Sequence, residues 1–115
     1  MKPTQAADLA PIGSFEEQVM LAVLRTAPEA YGMNVRRELE KVARRDVTIG
    51  SVYATLDRLE AKGLVASERA AALDDAGSRR IFAVTPLGAL ALAETRAMRE
   101  RLWEGVELRV LLGSA

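Results

Sequence analysis

Histidine and cysteine are both absent from this chain of 115 residues, and only five residues are aromatic: Phe15, Tyr31, Tyr53, Phe82 and Trp103. Without cysteine there is no disulfide. Without either residue there is no Cys/His zinc site, no thiol or imidazole nucleophile and no imidazole acid or base. An excess of one charge is missing too, since 16 Lys and Arg stand against 16 Asp and Glu. Any claim of nucleic-acid binding must therefore come from where the charges lie. The longest apolar run without Gly or Pro covers residues 19–24, far short of the roughly 20 residues that a membrane span needs. Residues 1–13 hold one lysine and no apolar core, so they do not read as a secretory signal. None of the acidic residues sits in a recognisable catalytic spacing. The default expectation is a cytoplasmic, non-enzymatic domain with no membrane association, no metal and no cofactor.

What is present is mostly small and aliphatic. Hydrophobic residues make up 50% of the chain, and 35 of them are Ala or Leu, which favours helices over a β-rich fold. The length suits one compact domain. Residues 1–13 carry Ala and Pro with no period and are expected to form a flexible arm. Ser14 stands three residues before Glu17, the capping-box spacing, and opens a first helix that Pro28 ends. Residues 19–24 of that helix are apolar all the way round, which demands burial on more than one side. A second helix over residues 32–44 places Val35, Leu39 and Val42 on one face. Arg36, Arg37, Lys41, Arg44 and Arg45 lie off that face, against only Glu38 and Glu40. Asp46 and Val47 make a turn, and Thr48 is the expected N-cap of a third helix over residues 49–62. Ile49, Val52, Leu56 and Leu59 form its core stripe, and Gly63 suits a left-handed C-terminal cap. The opposite face carries Gly50, Ser51, Ala54, Arg58 and Ala61, with Thr55 and Lys62 at its margin. Its first turns are small or hydroxylic, as a helix lying flush in a groove requires.

Two β-like runs follow, over residues 64–69 and 79–84, joined by a loop containing Asp74, Asp75 and Gly77. Thr85 and Pro86 then supply an N-cap and a first-turn proline for a last helix expected to run to about Leu112. The order helix, helix, turn, helix, hairpin, helix describes a winged helix-turn-helix: mostly α with a small β-hairpin, plus a long C-terminal helix. In that geometry the third helix enters the major groove and its neighbours hold phosphates. The plain alternative is a small α+β domain whose charges form a solvated face.

Particular residues carry a sharper resemblance. Tyr31-Gly32 opens the second helix. The third contains Gly50, Tyr53, Leu56, Leu59, Gly63 and Leu64 in the pattern G-x-x-Y-x-x-L-x-x-L-x-x-x-G-L, and Phe82-Ala83-Val84-Thr85-Pro86-Leu87-Gly88 joins an aromatic strand to a T-x-x-G helix start. Together these resemble the PadR family of bacterial transcriptional regulators over about residues 14–93, most specifically in the third helix. The chain's length resembles the short subfamily with a single helix after the wing. Two positions depart from the pattern. Ala30 stands where a hydroxyl residue is common, and the wing reads Gly77-Ser78-Arg79-Arg80 in place of a Gly-Arg-Pro-Arg-like tip.

The expected DNA-binding residues are Arg36, Arg37, Lys41, Thr48, Ser51, Tyr53, Thr55, Arg58, Arg79 and Arg80. Arginine and lysine supply phosphate contacts, the hydroxyls bond phosphate or base or else cap the helix, and the Tyr53 ring packs while its hydroxyl reaches outward. Gly50 and Ala54 offer nothing to bases, so direct readout should be sparse. The last helix, on the order of 40 Å long at 1.5 Å per residue, is too long for a winged domain to cover. Its apolar stripe (Leu92, Met98, Leu102, Trp103, Val106 and Val110) and the all-round apolar first helix are expected to meet in a homodimer. Trp103 is read as an interface anchor. The family resemblance adds a second role, in which Met98, Leu102, Trp103 and Val106 border a site for a small aromatic or hydrophobic effector. The expected whole is an arm (1–13), a winged helix-turn-helix (14–84) and a dimerisation helix (85–115). It would act as a regulator, a repressor by expectation, on double-stranded DNA with a palindromic operator. A winged-helix protein–protein adaptor is the competing reading, and a carboxylate-based metal sensor a weaker one.

Overall fold

The computed structural model describes residues 12–70 and 79–113. Three helices come first: α1 (Ser14–Thr26), α2 (Gly32–Ala43) and α3 (Ile49–Ala61). Strands β1 (Val65–Ala70) and β2 (Arg79–Val84) follow, then α4 (Pro86–Trp103) and the short α5 (Arg109–Leu112). The strands pair antiparallel, with Val65 opposite Val84 and Ala70 opposite Arg79. The loop residues Asp74, Asp75, Gly77 and Ser78 lie outside the described residues.

The core is the meeting place of α1, α2, α3 and the hairpin. Val19, Met20 and Val23 from α1, Val35 from α2, Val52, Leu56 and Leu59 from α3, and Val65 and Phe82 from the strands are all fully buried. The β2 strand is tied to the α1–α2 turn by a hydrogen bond from the Phe82 amide to the Ala30 carbonyl at 2.9 Å. At the base of the hairpin the Thr85 hydroxyl donates to the Gly63 carbonyl at 2.7 Å and accepts from the Gly88 amide at 3.0 Å. One threonine thus closes the wing and caps α4. The α4 helix packs so closely here that its Gly88 touches the Leu64 backbone.

Several expectations shift by a residue or more. The N-cap of α1 is Gly13, not Ser14, and Glu16 closes back on the Gly13 amide at 3.2 Å. Glu17 is buried instead and accepts an ion pair from Arg99 of α4 at 2.9 Å. Ile12, read as part of a loose arm, is in the core. Val42 is exposed although it shares the Val35 face: α2 ends at the next residue, Ala43, with Arg44 in the left-handed region. The largest correction concerns the last helix. It ends at Trp103, about 27 Å from its start, where Glu104 leaves helical geometry and Gly105 follows with a φ of +75°. Leu92, Met98, Leu102 and Trp103 therefore share α4, while Val106 and Val110 lie beyond the break and belong to no common helical stripe.

Candidate nucleic-acid interface

The N-terminal end of α3 is built by hydroxyl capping. The Thr48 side chain accepts from the Ser51 amide at 3.1 Å, and the Ser51 hydroxyl donates to the Thr48 carbonyl at 2.8 Å. Both hydroxyls expected at the interface thus also hold the helix start. Beyond them Gly50, Ala54, Asp57 and Arg58 are exposed, and a Cβ built on Gly50 would meet nothing within 4 Å. The leading face of α3 is small, open and free of large apolar side chains. Thr55 does not belong to it. Its exposure is 1%, and its hydroxyl accepts from the Arg58 guanidinium at 3.0 Å. At 100° per residue Thr55 falls beside Val52 and Leu59, so the margin of the face is in fact core.

The basic side chains divide into two groups. Arg36 donates to the Val47 carbonyl at 2.8 Å and lies 3.6 Å from Glu40, whose carboxylate accepts from the Val47 amide at 3.1 Å. Arg36 and Glu40 therefore clamp the turn between α2 and α3. Arg80 lies 3.1 Å from Asp57 and 2.8 Å from Glu60, with its guanidinium over the Phe82 ring. Arg37 and Lys41 stand exposed on α2, Arg37 with one bond to Asn34 at 3.3 Å. Arg79 is exposed and lies over the Tyr31 ring, 4.9 Å from its centroid.

Between α2, α3 and the hairpin runs a cleft of about 460 Å³ lined by Tyr31, Met33, Tyr53, Arg69, Arg79 and Arg80. Tyr31, Met33 and Arg69 were not among the expected interface residues. The Tyr31-Gly32 pair was the available signal, and its reason lies here. Any side chain at Gly32 would collide with the Tyr53 ring, so the glycine makes room for the tyrosine that walls the cleft. At the far end of α3, the Lys62 ammonium donates to Glu16 at 2.8 Å and holds its carboxyl below the ordinary glutamate range.

The expected effector and interface residues lie away from this face. Leu102, Trp103 and Val106 are exposed, Trp103 to 57%, and Met98 is half-buried. Trp103 borders a shallow, open depression with Ala97, Glu100, Arg101 and Glu104. Leu21 and Leu24 form an exposed ridge on α1, between a groove against α2 of about 410 Å³ and one against α4 of about 440 Å³. Among the described residues there is no group of three or more carboxylates able to hold a metal ion, and no helix long and apolar enough to cross a membrane.

Three helices, the third with an open small-residue face, and a two-stranded hairpin closed onto the third helix define a winged helix-turn-helix domain. Residues 20–94 match the PadR-like family of transcriptional regulators, and the chain belongs to that family of regulators, which are not enzymes. It is similar to the transcriptional regulator Rv3488 of Mycobacterium tuberculosis, with 40% identity over 74 residues. That match covers 64% of this chain and 66% of Rv3488, just under two thirds of the relative's length. Among solved structures, a PadR-like transcription factor from Bacteroides fragilis superposes with a TM-score of 0.68 at 28% identity, over 78% of this chain and 84% of that one. The hsRosR-S1 complex gives 0.64 at 26% identity, over 90% and 83%.

Proposed function

We propose that the chain is a homodimeric repressor that reads a palindromic operator in double-stranded DNA, acting in the cytoplasm. The observation that carries this reading is the leading face of α3, where Gly50, Ser51 and Ala54 leave backbone and short side chains open beside the basic cleft. A helix of this kind lies deep in a major groove, while flanking side chains hold the phosphates. Arg37, Lys41, Tyr53, Arg58 and Arg79 are the proposed phosphate contacts, with Thr48 and Ser51 at the groove edge. Arg36 and Thr55 are spent on the turn and the core. Gly50 and Ala54 have no hydrogen-bonding side chain, so sequence preference rests largely on DNA shape.

Residues 14–84 form the reading head, and residues 85–115 with the α1 ridge form the dimer contact. The ridge and the exposed Leu102 and Trp103 are apolar surfaces that a second copy covers. A small aromatic effector bound beside Met98, Trp103 and Val106 of the assembled dimer would alter the spacing of the two heads. The adaptor alternative needs large apolar residues facing outward on α3, and that face has none before Arg58.

Selection of bound duplexes from a random pool at moderate salt tests the reading. The expected product is a palindrome whose half-sites lie about one helical turn, or 34 Å, apart. Failure to enrich any sequence, at a protein concentration that saturates the dimer, would overturn it in favour of the adaptor.

A further inference from the structure

Arg80 sits where a wing residue would be expected to meet DNA, yet its surroundings are protein. Its two terminal nitrogens donate to Asp57 at 3.1 Å and Glu60 at 2.8 Å, both on α3, and the Ser67 hydroxyl of β1 lies 3.5 Å from one of them. Ser67 itself donates to the other carboxylate oxygen of Glu60 at 2.8 Å. Glu60 therefore grips both strands of the hairpin, and Asp57, one turn earlier on the same face, holds the guanidinium from the side. Beneath it lies the buried Phe82 ring, with its centroid 4.8 Å away. In the strand register Arg80 faces Arg69 directly, a like-charge pairing that ordinarily destabilises a hairpin and that these acids offset.

A guanidinium has a fixed planar fork, so two carboxylates spaced one helical turn apart set its orientation as well as its place. We infer that Arg80 is a positioning residue. It locks the hairpin at a set distance and angle to α3, so that recognition helix and wing meet DNA as one rigid body, and it does not itself neutralise a phosphate. Arg79, its neighbour on the strand, lines the same cleft but is exposed over the Tyr31 ring and is left to do that. The two arginines of β2 divide the work, one held by the acids of α3 and one exposed. Asp57 and Glu60, which look electrostatically adverse on a DNA-binding face, serve to hold the wing.

This inference rests on the DNA-binding reading, and one titration separates the two. Binding of the selected operator duplex is measured from about 50 to 200 mM salt for the wild type, Arg80→Ala, Asp57→Asn/Glu60→Gln, and the triple variant. Each lost phosphate contact lowers the slope of log K against log salt by about 0.9. A positioning role predicts that Arg80→Ala weakens binding about three- to tenfold with the slope unchanged. It also predicts that the double variant weakens binding, although it removes negative charge from the DNA face, and that the triple variant is no weaker than Arg80→Ala. A slope lowered by about one for Arg80→Ala, or tighter binding by the double variant, would overturn the assignment. Absence of wild-type binding would instead overturn the DNA reading. Asp57→Asn alone, at an exposed side chain, keeps the sign test available should the double variant fold poorly, and thermal unfolding checks each protein.

Discussion

A methyl group added at Gly88 would press into the Leu64 carbonyl and sit 3.0 Å from the Met20 side chain, whereas one added at Gly32 would press only into the tip of the Tyr53 ring. The two glycines look alike in sequence, and both lie within the first turn of a helix, where alanine is intrinsically better by up to about 1 kcal/mol. What they touch decides the outcome. Backbone cannot yield without moving the base of the wing, but a half-exposed tyrosine can rotate outward. Gly88→Ala is therefore expected to lose on the order of 3 kcal/mol of stability, read as a large fall in the thermal midpoint. Gly32→Ala is expected to cost about 1 kcal/mol or less, while weakening operator binding because Tyr53 leaves the cleft wall. Similar midpoints for the two variants would refute this distinction. The same lesson holds for Thr55 and Arg36: their side chains have the right chemistry for DNA, and neighbouring atoms have already claimed it.

At the level of elements, α3 and the hairpin were legible because their signals are local. The Thr48 cap, the Val52–Leu56–Leu59 spacing and the left-handed Gly63 each act over a few residues. The C-terminal helix was not, since periodicity continued past the point where the backbone turned. Residue propensity near Gly105 only weakly opposes a helix, and the φ of +75° there is open to glycine at little cost. Replacing it strains that conformation and favours helix, and a Cβ at this position meets nothing. Gly105→Ala is expected to extend α4 toward α5 and to raise the helical circular-dichroism signal at 222 nm. An unchanged spectrum would show that contacts beyond residue 103, rather than the glycine, end the helix.

For the molecule as a whole, the unsatisfied quantity is apolar surface. Leu21 and Leu24 on α1, Val42 on α2, Leu102 and Trp103 at the end of α4, and Val110 to 88% on α5 are all exposed. Exposed apolar side chains of this kind are what a partner surface covers, and none of them lines the cleft between α2, α3 and the hairpin. Leu24, half-exposed, contributes little to its own core, so Leu24→Glu should leave the fold and its far-UV spectrum intact. Sedimentation equilibrium should then show the variant as a monomer where the wild type is a dimer, with operator affinity lost in parallel. A dimeric Leu24→Glu protein would place the interface elsewhere. The charge distribution acts at this scale too. Residues 31–84 carry ten basic and eight acidic side chains, so the proposed dimer is expected to hold DNA usefully only when both heads engage.

By itself the sequence determined the order of elements through the wing, most of the core stripe of α3, its open small-residue face and the family, because each depends on residue type at short spacing. It also established that the chain has neither histidine nor cysteine, which excludes thiol and imidazole chemistry. Only the tertiary structure decided which arginines are available. Arg36 meets the Val47 carbonyl eleven residues away, Arg80 reaches Glu60 twenty residues away, and Arg99 finds Glu17 across 82 residues. Such pairings are set by how helices and strands pack. A side chain's charge is written in the sequence, but its partner is chosen by the fold.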